Sequence, residues 1–424
     1  MILDELILLP NLLNTTDLKN ISWMIFAICF CSCETNQSDK ADKLQSATEA
    51  QLKMTASSQA EKSYYKKLVE NFVDSAYGNG RFNGSLLVAK EGEILYETYE
   101  GYRNPRVSKD SITPSTPFHL ASVSKTFTAM AALKLWEQGK LNIDDSVSKY
   151  LPGFPLSRVT VRNLMNHRSG IPNYVHYMDR MGWDRKRRMT NQDVLDFIIQ
   201  NHKKIQIGAP DRGFSYSNTN YALLALVIES VTGQTFANYM EMAFFKPLGM
   251  NDSYVFTIAD SAHSLPSFFS NGRQYAFDFL DLVYGDKNIY STVRDLMKWD
   301  QALNNGSMFK PETLEAAYTP YSNEKKGINN YGLGWRMQVL PNGKKFIYHN
   351  GWWHGNRTAF YRLIDEKVTI IALSNNDYTK VYASKHLADA FGNYFREVNE
   401  PPVFSEQAAS GKGKKVSNES QGGE

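Results

Sequence analysis

Apolar and polar positions repeat with two different periods along this chain. Residues 62–77 place apolar side chains three or four positions apart, which predicts a helix with one buried face. Two β-rich runs, Gly84–Lys90 and Glu93–Tyr99, lie on either side of Glu91 and Gly92, and this arrangement predicts a β-hairpin. The folded part of the chain is therefore expected to begin with a helix and a hairpin.

The middle of the chain has a mostly helical pattern, and strand-like runs return near its end. The predicted helices are Thr126–Gly139, Thr160–His167, Asn191–Gln200, Asn220–Thr232 and Phe236–Phe245, with a last one at Ala383–Arg396. The later predicted strands are Gly332–Val339, Lys345–His349, Thr358–Ile364 and Val368–Ser374. This order predicts an α/β fold of the α+β type, with one antiparallel sheet built from both ends of the domain, flanked by helices, and a mostly helical region inserted between them. The loops of that region are expected to line a cleft.

Segments of different composition flank the predicted domain, which spans residues 62–400. Residues 34–61 are rich in Ser, Gln, Lys and Ala and are predicted to be a flexible tether, and residues 401–424 are predicted to be a disordered tail. Residues 1–33 have the layout of a secretory leader, because Lys19 precedes an apolar run followed by small residues and cysteine. The run is shorter than the roughly 20 residues that span a bilayer. A buried or interfacial helix is the alternative. Acidic residues ahead of the run favour a translation start near Leu18.

Cysteine occurs only in this leader. The three cysteines are Cys29, Cys31 and Cys33, so the rest of the chain has neither disulfides nor thiol-ligated metal. Ser32 and Cys33 resemble a bacterial lipoprotein cleavage site, after which Cys33 would carry lipid. We therefore expect a secreted protein that is anchored by lipid to the bacterial cell envelope, in the periplasm or on the outer surface.

Composition excludes several classes of function. The chain has 424 residues, of which 42% are hydrophobic, and this is enough for a large core in one or two domains. Its 47 basic and 44 acidic residues leave a formal charge of +3, which gives no reason to expect a nucleic-acid partner. The sequence contains no P-loop, no dinucleotide glycine fingerprint and no H-E-x-x-H helix. Its histidines show no metal-ligand spacing, so neither a cofactor nor a metal is expected.

The stretch Ser122-Val-Ser-Lys125 carries the clearest chemistry. The two residues stand three apart before a strongly helical run, so they share one helix face and can approach within hydrogen-bond reach. A serine hydroxyl is a weak nucleophile until a base takes its proton. A lysine can be that base when burial and nearby cations lower its pKa. The alternative is a helix cap beside a solvated lysine, because Ser and Lys are common surface residues.

Three further stretches extend this pattern in a fixed order. They are residues 159–172, which contain Asn-His-Arg-Ser-Gly, then Tyr216-Ser-Asn218 before a predicted helix, and His349-Asn-Gly351 on a predicted strand. With Ser122 and Lys125, they resemble the serine β-lactamase-like family, which includes class C β-lactamases, low-molecular-weight DD-peptidases and related esterases and aminopeptidases. The resemblance runs from about residue 84 to residue 374 and implies a β-lactamase/transpeptidase-like fold.

The resemblance implies roles for the second motif. Tyr216 would pass a proton to the leaving group, and its phenol could act as a base only beside a cation such as Lys125. The amide of Asn218 would hold a substrate carbonyl and bridge to Lys125. As alternatives, Tyr216 could be a packed core tyrosine, and Asn218 could be a helix N-cap.

The third motif departs from the family pattern. His349 stands where lysine is usual and would still supply a hydrogen-bond donor, although it could also be an ordinary strand histidine. The oxyanion hole is expected to consist of the backbone N–H groups of Ser122 and of Trp352, the residue after Gly351. Arg357 could bind a substrate carboxylate with two hydrogen bonds, or it could be a surface strand arginine.

These residues predict a serine hydrolase that cleaves an amide or ester bond through an acyl-enzyme on Ser122. A DD-peptidase, a D-aminopeptidase or an esterase is favoured over a β-lactamase, because nothing in the sequence shows the water-activating group that fast deacylation requires. The expected partner is a small-molecule or peptide acyl donor of the cell-wall type. The alternative is a catalytically retired, penicillin-binding-like lipoprotein that binds or regulates without turnover. A purely structural surface lipoprotein is a further alternative.

Overall fold

The computed structural model describes residues 38–78 and 80–396 of the chain. The predicted leader with Cys33 and the predicted tail lie outside the described residues. The chain divides into two units, one ending at Gln59 and the other beginning at Ala60. No helix in the described part is both long enough and apolar enough to cross a membrane.

Helix α1 spans Ser38–Tyr77 and so begins inside the segment predicted to be a flexible tether. This differs from the sequence prediction. Residues 38–61 are rich in Ala, Gln, Lys and Glu, which are among the better helix formers, so a polar composition here is compatible with helix as well as with coil. The apolar repeat that predicts a helix at residues 62–77 therefore marks only the C-terminal part of α1.

Two sheets contain the strands. The strands are β1 Gly84–Lys90, β2 Glu93–Glu100, β3 Phe118–His119, β4 Tyr254–Val255, β5 Ile289–Ser291, β6 Asn329–Tyr331, β7 Arg336–Val339, β8 Lys345–Trp353, β9 Asn356–Leu363 and β10 Val368–Ser374. The larger sheet is antiparallel, with seven strands in the order β2-β1-β10-β9-β8-β7-β6. It therefore joins a hairpin from the start of the domain to five strands from its end, and the predicted architecture is confirmed.

Most other residues between β2 and β6 belong to helices and loops. The remaining helices are α2 Ser124–Glu137, α3 Val161–Met165, α4 Tyr174–Arg180, α5 Asn191–Asn201, α6 Asn218–Thr232, α7 Phe236–Met240, α8 Val293–Asn304 and α9 Pro311–Ala317. A π-helical turn, Glu241–Phe245, follows α7. The last helix, predicted at Ala383–Arg396, is a 3₁₀ helix at Thr379–Ala390, so the prediction is wrong for residues 391–396. Gly392 lies inside the predicted helix and disfavours it.

The two-residue period of the strands places a hydrophobic layer on each face of the large sheet. On β1, Leu86 and Val88 contribute to one apolar cluster, whereas Leu87 and Ala89 contribute to the other. The first cluster also contains Val69 of α1, and the second contains Phe127 of α2. The sheet is therefore buried on both sides.

Helix α2 runs through the larger of these layers. Its residues from Ser124 to Leu133 are buried, so it is a core helix rather than an amphipathic surface helix. Phe127 stacks on Trp299 of α8 with ring centroids 4.4 Å apart. The residues at the start of α2 are consequently held on a rigid element.

The smaller sheet, in the order β3-β5-β4, lies next to the start of α2. Its strands have only two or three residues, and the hydrophobic pattern does not predict them. The N–H of Leu120 donates to the carbonyl of Ile289 at 2.8 Å, and the Ser124 hydroxyl accepts from the N–H of Ile289 at 3.1 Å. These bonds attach the turn before α2 to β5.

Candidate active site

Ser122 lies in a 3₁₀ turn, Ala121–Val123, immediately before α2. Its side chain is buried at the beginning of a helix, where free N–H groups and the helix dipole favour negative charge. The preceding residue, Ala121, has a φ of 49°, which is unusual for a residue other than glycine. The N–H of Ala121 donates to Nδ1 of His119 at 3.0 Å, and this bond holds the turn in its conformation.

Lys125 is fully buried beside Ser122. Its Nζ lies 3.1 Å from Ser122 Oγ and donates to the carbonyl of Asp286 at 2.7 Å. The contact expected from their three-residue spacing is confirmed, and the alternative of a solvated lysine is wrong. The site thus contains a serine hydroxyl and an amine in direct contact, shielded from solvent.

Tyr216 lies between two cations. Its ring centroid is 5.0 Å from Lys125 Nζ and 4.8 Å from the guanidinium carbon of Arg336. The ring also packs at 4.3 Å against His167, and the side chain is only half-buried. Lys125 Nζ therefore lies over the ring of Tyr216, and the role of its hydroxyl in proton transfer stays a prediction.

Asn218 is the first residue of α6, and Ser217 is its N-cap residue. Asn218 Oδ1 is buried and has no hydrogen-bond partner among the described residues. A buried amide oxygen without a partner is costly, and an N–H group of a bound ligand would satisfy it. The placement favours ligand contact over the N-cap alternative.

His349 is fully buried on β8 and lies near Lys125 and Arg336. Its Nδ1 lies 2.7 Å from the carbonyl of Asn350, which can only accept, so Nδ1 carries the proton. Its Nε2 can then accept from the Tyr331 hydroxyl at 3.2 Å. Burial, together with the charges of Arg336 and Lys125, holds the pKa of His349 well below its usual range. The histidine is therefore neutral.

Gly351 brings the edge of β8 against the nucleophile turn. A Cβ at this position would lie 2.4 Å from the carbonyl oxygen of Leu120 and 2.2 Å from Oγ1 of Thr358. Only glycine allows this close approach of β8 to the turn that contains Ser122. The oxyanion hole formed by the N–H groups of Ser122 and Trp352 stays a prediction.

Arg357 differs from its predicted environment. Both Nε and Nη2 donate to Asp377, with Nε at 2.8 Å, and the guanidinium stacks over Trp352 at 4.5 Å. The side chain is buried, so the surface alternative is wrong. The structure also gives Arg357 an internal carboxylate partner in place of the substrate carboxylate expected from the sequence. Asp377 is within reach because it follows β10, whose last residue, Ser374, pairs with Arg357.

The structure adds a cation and a histidine that sequence reasoning missed. Arg336 lies at the start of β7, and no motif marks it. His167 lies in the Asn-His-Arg-Ser-Gly stretch, and the sequence analysis assigned no role to this histidine. Burial and the charges of Lys125 and Arg336 hold the pKa of His167 well below its usual range. His167 Nδ1 accepts from the N–H of Ser217 at 3.2 Å and so supports the loop that carries Tyr216.

A second buried lysine lies behind the first. Lys287 Nζ donates to the Tyr174 hydroxyl at 2.7 Å and to the carbonyl of Val283 at 3.1 Å. Burial lowers the pKa of Lys287, and repulsion from Lys125 adds to this effect, whereas Asp286 opposes it. The site is therefore rich in positive charge, most of it buried.

The sequence comparisons agree with this geometry. The family model described as Beta-lactamase matches residues 66–392, which is more than half of the chain. The chain belongs to the beta-lactamase family. Penicillin-binding protein 4* of Bacillus subtilis (strain 168) is 31% identical to it over 368 residues, which cover 81% of this chain and 80% of that protein.

Solved structures show the same fold. The octameric penicillin-binding protein homologue from Pyrococcus abyssi superposes with a TM-score of 0.66 at 27% identity, over 76% of this chain and 77% of that chain. The D-amino acid amidase from Ochrobactrum anthropi SV3 superposes with a TM-score of 0.60 at 21% identity, over 77% of this chain and 96% of that chain. At 21% identity, the second comparison concerns the fold alone.

Proposed function

We propose that this protein is a serine hydrolase that cleaves an amide or ester bond through an acyl-enzyme on Ser122. The observation that carries the proposal is the 3.1 Å contact between Ser122 Oγ and Lys125 Nζ at the buried start of α2. A hydroxyl beside an amine that is shielded from water is the arrangement that activates a serine nucleophile.

The steps follow from the placement of the groups. Ser122 Oγ attacks the carbonyl carbon while its proton passes to the Lys125 amine, which is unprotonated in the reactive form. The negative oxygen of the tetrahedral intermediate binds the N–H groups of Ser122 and Trp352. Tyr216 gives its proton to the leaving amine or alkoxide and regains one from Lys125, and the C–N or C–O bond breaks to leave an ester on Ser122. Water then hydrolyses this ester, which releases the carboxylic acid and restores the serine.

The preferred acyl donor in this proposal is a D-amino-acid amide or a cell-wall-type peptide. Relatives named penicillin-binding protein and a fold neighbour named D-amino acid amidase support this choice. Arg336 adds a positive charge beside Tyr216, and a guanidinium is suited to a carboxylate. We assign the carboxylate contact to Arg336 because its guanidinium lies 4.8 Å from the ring of Tyr216, next to the proposed reaction centre.

The direct test is intact-mass analysis after exposure to a fluorophosphonate probe. A single adduct that Ser122→Ala abolishes is the expected result, because the probe reacts with an activated serine. Folded protein that forms no adduct would contradict the proposal and favour the binding protein without turnover.

A second test addresses the acyl donor. We expect hydrolysis of D-phenylalanine amide, or of a peptide ending in D-Ala-D-Ala, to exceed hydrolysis of the L-configured counterpart. Arg336→Gln should raise KM for the carboxylate-bearing peptide more than for the amide. An equal effect on both substrates would remove Arg336 from the carboxylate contact.

Attachment to the cell envelope remains a proposal from the leader sequence. Cys33 would be the lipid-bearing residue and, after cleavage, the first residue of the mature chain. Metabolic labelling with an alkyne fatty acid in a bacterial host should mark this mature chain and should be lost in Cys33→Ala but retained in Cys29→Ala. Labelling that survives both substitutions would contradict this assignment.

A further inference from the structure

A second polar cluster lies behind the strand that carries Gly351 and Trp352. Asp278, Asp281 and His354 each offer one ligand atom, and these atoms all lie within 4.8 Å of one another. Asp281 is buried, whereas the other two are half-buried. They come from two parts of the chain, the loop before β5 and the turn between β8 and β9.

The distances within the cluster suit a metal ion. His354 Nε2 lies 3.0 Å from Oδ1 and 3.2 Å from Oδ2 of Asp281. Two nitrogen or oxygen ligands at about 2.0 Å from a tetrahedral zinc ion are about 3.3 Å apart. The two distances between His354 and Asp281 are close to this value, and a movement of the Asp278 carboxylate toward the pair would complete the ligand set.

An independent observation points to a ligand at the same place. A cavity of about 260 Å³ is lined by Asp281, His354 and Asn356, among others. Asn356 is only 4% exposed, and its Oδ1 has no hydrogen-bond partner among the described residues. Asn356 thus brings a buried, unpaired acceptor to the wall of a cavity that a carboxylate and an imidazole also line, and a cation or a donor group would satisfy it.

We infer that Asp278, Asp281 and His354, with Asn356 Oδ1 as a fourth acceptor, form a binding site for a divalent first-row metal ion, for which Zn²⁺ is the probe. Imidazole and carboxylate ligands together suit zinc, whereas calcium prefers oxygen ligands alone. This site is separate from the proposed hydrolase chemistry, which uses no metal.

The ion would connect the loop at residues 278–281 to the turn that follows β8. The Trp353 indole N–H already donates to Asp281 at 2.7 Å, and the Trp352 indole N–H donates to the carbonyl of His354 at 3.0 Å. Both tryptophans are therefore tied to residues of the cluster. The ion would act as a structural support for the C-terminal end of β8.

The test is calorimetric titration of the full-length chain with Zn²⁺, after treatment with EDTA and dialysis. We expect one zinc ion per chain, a rise in the melting temperature on binding and no comparable binding of Ca²⁺. Asp281→Asn should weaken zinc binding at least tenfold. No zinc binding by the wild-type chain, or tighter binding of Ca²⁺, would overturn the proposal.

Two further variants guard against misfolding and adventitious binding. His354 has a φ of 51°, which asparagine tolerates, so His354→Asn should fold and still weaken binding at least tenfold. His202→Asn removes a histidine of another region and should leave the affinity unchanged. Binding that survives His354→Asn and Asp281→Asn, or that His202→Asn abolishes, would overturn the assignment. Unchanged affinity in Asn356→Ala would exclude Asn356 as a ligand.

Discussion

At the scale of single residues, the important feature is the difference between Lys125 and Arg357, two buried basic residues that the sequence analysis placed in the same site. Lys125 reaches the Ser122 hydroxyl and the Asp286 carbonyl, so its amine lies at the proposed reaction centre. Arg357 is also buried, on β9 next to β8, but its guanidinium donates to Asp377. Sequence spacing could predict the first contact because it lies within one helical turn. The second depends on strand register, which no local pattern reveals.

Replacing Lys125 should separate its chemical role from its packing role. Lys125→Met keeps the volume and removes the amine, so the rate of fluorophosphonate labelling should fall about 10²- to 10⁴-fold, the usual contribution of a general base. Lys134→Met, on the same helix but outside the site, is the matched control and should label at the wild-type rate. A Lys125→Met protein that labels at the wild-type rate would contradict the assigned role.

Replacing Arg357 should affect stability rather than substrate selection. Arg357→Gln removes charge-assisted hydrogen bonds to Asp377, and the free energy of unfolding should fall by about 1.5–3 kcal/mol. Chemical denaturation measures this loss, and Asp377→Asn should produce a similar one. If Arg357→Gln instead raised KM for a carboxylate-bearing substrate and left stability unchanged, the residue would belong to the substrate site.

At the scale of secondary-structure elements, the site depends on how closely β8 approaches the turn before α2. Gly351 faces the carbonyl of Leu120, and His119 fixes the backbone of Ala121. The hydrophobic pattern predicts β8 and α2, because each is long enough to show its period. It does not predict β3, β4 or β5, which are too short to have a period, although β3 and β5 fix the turn that contains Ser122. Helix α8 has apolar residues at helical spacing, so the sequence contained a signal that was overlooked.

A methyl group at Gly351 should push the two elements apart. Gly351→Ala places a Cβ 2.4 Å from the Leu120 oxygen, so the strand or the turn must move and the oxyanion contacts weaken. We expect acylation to slow by about 10²-fold or more, the effect of losing one oxyanion donor, while the protein still folds. Gly213→Ala, whose Cβ would make only an ordinary contact at 3.5 Å, is the control for glycine replacement. Equal labelling rates in both variants would exclude a close-approach requirement at Gly351.

At the scale of the whole molecule, three histidines are buried as neutral groups. Burial lowers the pKa of His119 to about 4, and the pKa values of His167 and His349 are also well below 6.5. In the unfolded chain these groups take up protons near pH 6.5, whereas in the folded chain they do not. Acidification therefore favours the unfolded state, and the stability that is present above pH 6.5 is lost as the pH falls below it.

This linkage predicts a steep loss of stability in mildly acidic solution. Between pH 6.5 and 5, each such histidine should lower the free energy of unfolding by about 1.5 kcal/mol, so the three together contribute about 4–5 kcal/mol. Urea titrations at several pH values measure the slope. Most carboxylates are still ionised in this window, so the slope reports mainly on the histidines. His119→Asn should remove about one third of the slope, and an unchanged slope would show that His119 is not the source.

Sequence reasoning thus predicted the sheet and the contact between Ser122 and Lys125, because their signals are local. Ser122, Lys125, Tyr216 and Asn218 belong to two short motifs, and each motif lies at the start of a helix. Arg336, Asp286 and the cluster around Asp281 join segments far apart in the chain, and no single-sequence pattern marks such a meeting. The residues that tune the charge of the site are therefore those that only the folded structure could supply.

The pairing of β1 with β10 also determines when, during synthesis, the protein can complete its fold. Gly84 pairs with Ser374, so the sheet closes only after almost the whole domain has left the ribosome. Ser122 and the start of α2 are synthesised early, whereas β8, which packs against that turn, is synthesised more than 200 residues later. Such long-range pairing makes folding slow. While it is being made, the chain therefore contains Ser122 long before the strand that faces it exists, so this part of the molecule takes shape only near the end of synthesis.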